Sequence, residues 1–184
     1  MRVISGYLKG RNIDGYDTIG TRPTMNRVKE SMFASIQEYI NDSLVLDLFS
    51  GSGSLGIEAI SMGAKKCYFV DNGREILNIL RKNINNLNIE EKSTIINKDY
   101  REALLYFKNN NIKFNIVLVD APYKMEVMEE VIELVTKYDL LLDKGILLLE
   151  YSFDKLKDKY NNLELIKSKK YSDKYVNIYR KIID

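Results

Sequence analysis

From Leu44 onward, short apolar runs alternate with stretches whose apolar residues recur every three or four positions. LVLDLF (44–49), CYFVD (67–71), TIINKD (94–99), NIVLVD (115–120) and GILLLE (145–150) are short and rich in Val, Ile and Leu, so they predict strands. Between them, Ile76, Leu80, Ile84 and Leu87 share one helical face, and Met128, Val131, Ile132 and Val135 share another. This alternation predicts right-handed βαβ crossovers and a mostly parallel sheet with helices on both sides. The closing runs LELIKS and YVNIYRKI follow each other closely, which predicts an antiparallel pair. Before Leu44, RVISGYLKGRNI predicts a hairpin of two short strands around a Gly turn. RPTMNRVKESMFASIQEYI then predicts a helix with Val28, Met32, Ile36 and Tyr39 on its apolar face and Thr24 as its N-cap. No linker, repeat or low-complexity segment divides the chain. It reads as one domain over residues 1–184, a hairpin-and-helix extension (1–43) leading into an α/β core (44–184).

Composition narrows the function classes. The chain has 184 residues, 45% of them hydrophobic, enough for a sizeable core. No apolar stretch approaches the roughly 20 residues of a membrane span, and MRVISGYLKG lacks a signal-peptide core, so a cytoplasmic protein is expected. Cys67 is the single cysteine and there is no histidine, which argues against an internal disulfide, a zinc site and a histidine base.

The net charge of +2 conceals a pattern. Residues 1–30 carry six Lys/Arg against three Asp/Glu, residues 31–154 carry 13 against 19, and residues 155–184 carry nine against four. Basic ends around an acidic middle fit a phosphate-backbone footprint, and equally fit solvated lysine faces.

The chemistry begins at DLFSGSGSLG. Gly51, Gly53 and Gly56 follow a predicted strand and open a predicted helix, where backbone must turn with positive φ or approach a ligand closely. Asp71 ends the next strand 20 residues after Gly51, a spacing at which a carboxylate reaches ribose hydroxyls. Together these predict a nucleoside-cofactor site. Asp47, inside the strand before the loop, would repel a pyrophosphate at the helix N-terminus. It suits a cation better, such as the ammonium or sulfonium of S-adenosylmethionine. Asp99 in NKDY is placed either to accept from an adenine amino group or to cap the helix over REALLYF. Phe49 and Tyr100, flanking these acids, complete the expected cofactor contacts.

A second motif, DAPY, ends the strand NIVLVD. In an open parallel sheet, ligands sit beyond the carboxyl ends of strands, so Asp120, Ala121, Pro122 and Tyr123 belong at the cofactor's reactive end if this strand neighbours the first. A nucleobase amine is a poor nucleophile because its lone pair is delocalised into the ring. Asp120 and the adjacent backbone carbonyl can accept both amino hydrogens and turn the lone pair towards a methyl donor. Pro122 restrains that carbonyl, and Tyr123 offers a stacking face.

These residues resemble a known family. D/N-P-P-Y/F after the fourth strand marks amino-group methyltransferases, and DLFSGSGSLGIEA is similar to their cofactor loop. RVISGYLKGRNI, TRPTMNRVKESMF and the terminal YSDKYVNIYR are similar to the RsmD-type guanine-N2 methyltransferases of bacterial 16S, small-subunit ribosomal RNA, over essentially the whole chain. The resemblance implies a Rossmann-like, seven-stranded methyltransferase fold with an antiparallel last strand. It implies S-adenosylmethionine as cofactor and ribosomal RNA, within a small-subunit particle, as partner of an expected monomer. Thr21, Arg22, Pro23, Thr24, Arg27 and Lys29 would lie at the RNA and cofactor entrance. Ala121 stands where the family usually has proline. DAPY reads an amine without naming the base, so an adenine-N6 or other nucleic-acid amino methyltransferase is the nearest alternative. An RNA-binding assembly factor without catalysis is the next, and a nicotinamide oxidoreductase is disfavoured by Asp47.

Overall fold

The computed structural model describes residues 1–15, 23–120, 124–152, 154–171 and 173–182, the side chains of residues 23–25 excepted. Strands β1 (Leu44–Leu48), β2 (Lys66–Asp71), β3 (Ser93–Asn97), β4 (Phe114–Asp120) and β5 (Leu141–Tyr151) fall where the apolar runs predict them. Helices α3 (Ser54–Ser61), α4 (Arg74–Asn86), α5 (Tyr100–Asn109) and α6 (Met125–Lys137) alternate with them. Three more strands, β6 (Lys159–Tyr160), β7 (Leu163–Tyr171) and β8 (Lys174–Lys181), finish the chain. All eight form one sheet in the order β3-β2-β1-β4-β5-β8-β7-β6. The first five run parallel, while β8 is antiparallel to both β5 and β7. Seven strands are therefore joined by an eighth, β6, a two-residue edge strand too short for its sequence to signal.

Alternation along the central strands explains why both sheet faces are covered. Val45, Ile116, Leu118, Ile146 and Leu148 belong to one core cluster, together with Ile57, Leu80 and Ile84. Leu46, Leu48, Val117, Val119, Leu147 and Leu149 belong to the other, with Leu104, Phe107, Met128 and Val131. Successive side chains point to opposite faces, and both faces meet helices, so these strands read as continuous apolar runs.

The N-terminal extension departs from its expected form. The hairpin is reduced to one antiparallel bridge, Arg2 with Asn12, supported by backbone bonds such as Val3 N–H to Arg11 O. Ladder pairing is displaced because Ile4 and Ser5 donate their N–H groups to the Glu58 carboxylate, while Val3, Leu8 and Ile13 sink into the core. The predicted single helix breaks at Ile36 into α1 (Pro23–Ser35) and α2 (Gln37–Ile40). Val28, Met32 and Ile36 are buried as expected, with Phe33 and Ile40 beside them, and Tyr39 is only partly buried. Because α1 starts at Pro23, Thr24 lies inside the first turn and is not the N-cap. Proline's fixed φ and missing N–H suit it to the first helical position.

Candidate functional site

At β1 the strand order reverses: β2 and β3 lie on one side of it, β4 and β5 on the other. Such a switch point opens a crevice at the carboxyl ends of the strands. The glycine loop leaves β1 there and Asp120 ends β4 there, one residue past Val119, which pairs with Leu48 of β1. A cavity of about 580 Å³ occupies this place, and Lys29, Asp47, Phe49, Ser50, Gly51 and Asp120 are among its lining residues. Glu150 and Lys174 also reach it.

The loop glycines divide into two roles. Gly51 adopts φ +55° and borders the cavity, and a Cβ there would meet only Ile76, at 3.9 Å. Gly53 (φ +92°) and Gly56 serve packing instead. A Cβ on Gly53 would lie 2.4 Å from Leu80, and one on Gly56 2.4 Å from Phe69 and 2.6 Å from the Cys67 sulfur. Two acids hold the loop in shape. Asp47 Oδ2 accepts from Gly56 N–H at 2.9 Å, while Asp71 accepts from Gly51 N–H at 2.9 Å and Gly73 N–H at 3.0 Å. Asn83 on α4 adds a third tie, donating to Ser52 O and Asp14 O and accepting from Asp14 N–H, each at 2.9 Å.

Of the remaining cofactor residues, Asp99 caps α5, accepting from Arg101 N–H at 2.7 Å and Glu102 N–H at 3.2 Å. Phe49, at φ +62°, packs on Tyr100 with ring centroids 5.3 Å apart, and Tyr100 donates to Glu130 at 2.5 Å. Burial and that hydrogen bond push the Tyr100 phenol up to about 12. Asp71, Asp99 and Tyr100 lie outside the lining of the 580 Å³ cavity, on the β2 and β3 side of the loop.

The electrostatics are unusual for a strand-end cluster. Burial, more than any other cause, raises the Asp47 carboxyl to about 7. Asp120 is exposed at the end of β4, yet protein packed around its carboxyl, then the Glu150 carboxylate in register on β5, hold it above the ordinary aspartate range. Glu150 is buried and paired with Lys174 on β8 at 3.0 Å. Ser50 Oγ is buried on the cavity wall with no hydrogen-bond partner among the described residues. An acidic pocket floor with an orphaned hydroxyl fits a cationic ligand bearing polar groups, and fits a pyrophosphate poorly.

One expected RNA contact moves inward. Lys29 is 5% exposed, with its ammonium 3.1 Å from Glu58 and 2.9 Å from Ser54 Oγ, and burial lowers its pKa. It braces α1 against α3 on the cavity wall and presents no charge to a phosphate surface. Arg27, two residues earlier, is exposed. Thr21, Arg22, Ala121, Pro122 and Tyr123 lie outside the described residues, as do the side chains of Pro23 and Thr24. Glu150 and Lys174 escaped the sequence reading. Glu150 has the same signal as Asp71 and Asp120, an acid closing a parallel strand, whereas Lys174 is placed only by the return of β8.

A doubly wound sheet with a glycine loop and acids at its switch point defines a nucleoside-cofactor α/β enzyme of the methyltransferase type. The chain belongs to the family described as conserved hypothetical protein 95, whose pattern matches residues 1–180. It is 34% identical to ribosomal RNA small subunit methyltransferase D of Haemophilus influenzae, covering 92% of this chain and 88% of that one. It is 33% identical to YlbH of Bacillus subtilis, named as a candidate rRNA methyltransferase, covering 98% and 99%. A solved structure from Escherichia coli, the candidate methyltransferase yhhF, superposes with a TM-score of 0.87 at 29% identity, covering 100% and 99%.

Proposed function

We propose that this protein is an S-adenosylmethionine-dependent methyltransferase that alkylates the exocyclic N2 amine of a guanine in small-subunit ribosomal RNA. The observation that carries the reading is the meeting of Asp47, Gly51 and Asp120 around one cavity at the switch point. The names of the relatives supply the substrate class. S-adenosylmethionine, when bound, provides a methyl group on a sulfonium. Asp47 and the ring of acids around it favour that positive charge, Gly51 lets backbone come close to it, and Ser50 Oγ offers a hydrogen bond. Asp71, Asp99 and Tyr100 are assigned to the nucleoside half from their strand-end positions. Asp120 would accept from the amine and orient its lone pair for methyl transfer. Sequence alone assigns the neighbouring carbonyl of Ala121, the restraint of Pro122 and the stacking face of Tyr123 to the same task.

Residues 44–184 form the cofactor-binding core on this reading, and residues 1–43 the extension facing RNA, with Arg22, Thr24 and Arg27 at its contact surface. The partner is an assembled small-subunit particle, met in the cytoplasm by a monomer. Mass mapping of modified nucleosides in ribosomal RNA from cells with and without the gene tests the reading directly. Loss of one N2-methylguanine is the expected result, and an unchanged nucleoside map would overturn it. Asp120→Ala should lower turnover at least 100-fold while calorimetry still detects cofactor binding.

A further inference from the structure

Asp120 and Glu150 end adjacent parallel strands in register, so their side chains stand side by side, about 4.8 Å between backbones. The Glu150 carboxylate so placed raises the pKa of Asp120, so a proton arriving at the pair is held more tightly. Both line the cavity, and Lys174 reaches Glu150 from the third strand in line, β8, at 3.0 Å. Among the described residues, the other charged side chains lining this cavity are Asp47 from β1, Lys29 from α1, already paired with Glu58, and Asp173 beside Lys174. Two carboxylates and one ammonium thus stand together on the cavity wall, with Asp47 and Asp173 nearby.

We propose that Asp120 and Glu150 work as a carboxyl pair, with Glu150 anchored by Lys174, and that the pair takes up the proton released when the substrate amine is methylated. The inference rests on the methyltransferase reading above. The nitrogen forms its bond to the methyl carbon as the carbon–sulfur bond breaks, its electron pair staying on sulfur. Nitrogen is left cationic with two hydrogens. One N–H bond then breaks, its electrons returning to nitrogen, and the proton passes to the Asp120 carboxylate. Glu150 shares that proton and the open cavity returns it to water. Glu150 is a positioning residue in this scheme, since it acts through Asp120.

The test uses the full chain. Carbon-13 NMR follows the Asp120 carboxyl titration in the unaltered protein, Glu150→Gln and Lys174→Met. Single-turnover methyl transfer to small-subunit particles lacking the modification is measured across the same pH range. Removing the neighbouring negative charge should move the Asp120 titration and the acid limb of the rate down by about one pH unit, and removing the cation should move both up. Opposite shifts are the signature, because a merely structural role lowers the rate without moving the limb. Titrations unmoved in both variants, or moved in one direction, overturn the pair. An NMR shift with no matching shift in the rate overturns proton uptake. If the unaltered protein neither binds S-adenosylmethionine by calorimetry nor turns over, the functional reading and the proton-uptake role fall, while the titrations still decide the pair.

Discussion

Asp47 carries an acid into the apolar interior, one oxygen bound to Gly56 N–H, and burial raises it to about 7. Unfolded, it ionises near ~3.9. The folded state binds the proton more tightly, so Asp47 supports folding fully below its unfolded pKa and loses that contribution as pH rises through about 7. Melting curves of the ligand-free protein should show a fall in stability over this window that Asp47→Asn flattens. A cationic ligand has the opposite preference. S-adenosylmethionine affinity, measured by calorimetry, should rise with pH through about 7 and lose most of that dependence in Asp47→Asn. The loop glycines give a second residue-scale test. Gly56→Ala drives a methyl into Phe69 and Cys67 and should cost about 1–3 kcal/mol in urea unfolding. Gly51→Ala meets only the strain of φ +55°, about 1 kcal/mol, yet should weaken cofactor binding more than Gly56→Ala does.

Between elements, Glu58 ties the extension to the core. From the middle of α3 it accepts Ile4 N–H at 2.9 Å and Ser5 N–H at 2.8 Å and pairs with Lys29 of α1 at 3.1 Å, with 1% of the residue exposed. Gly6 packs against the same helix: a Cβ there would lie 1.9 Å from Ser61 O. Removing one member of a buried pair leaves the other charge uncompensated, so Glu58→Ala should destabilise by about 3–5 kcal/mol. Hydrogen exchange at Ile4 and Ser5 should accelerate before that of β1 or β4, because the extension loses two of its backbone anchors while the central strands keep theirs.

Across the whole molecule, charge segregates by position in the fold. Acids gather at the strand ends around the cavity, while lysines occupy the outer strand β7, where Lys167, Lys169 and Lys170 are exposed. Lys169 also donates to Ser31 on α1 at 3.2 Å, and Tyr171 bonds the same hydroxyl, which brings this strand beside the helix carrying Arg27. If the helix surface grips RNA phosphates, Arg27→Gln should reduce the slope of log affinity against log salt by about one. Lys29→Met should leave the slope unchanged and lower the melting temperature, since that ammonium is committed to Glu58. Filter binding over a salt series, paired with thermal melts, separates the two lysine and arginine roles.

Local pattern was enough to read the α/β core and to place the glycine loop and Asp120 at strand ends. A strand buried on both faces must be apolar throughout, and a helix covering one face must repeat every three or four residues, so β1, β4, α4 and α6 are legible without tertiary contacts. Asp120 and the glycine loop were legible because an acid or a glycine run breaking such an element has few other local reasons to be there. What the chain does between distant segments was decided only by the fold. Lys29 reads as a surface cation until α3 presents Glu58 to it, and the N-terminal hairpin loses its ladder to the same carboxylate. Gly53 and Gly56 read as ligand contacts until Leu80 and Phe69 fill the space above them. Glu150 reads as a strand end until β4 lays Asp120 beside it and β8 returns Lys174. In each case the partner lies more than ten residues away, and which group is buried beside which depends on packing that no local period encodes.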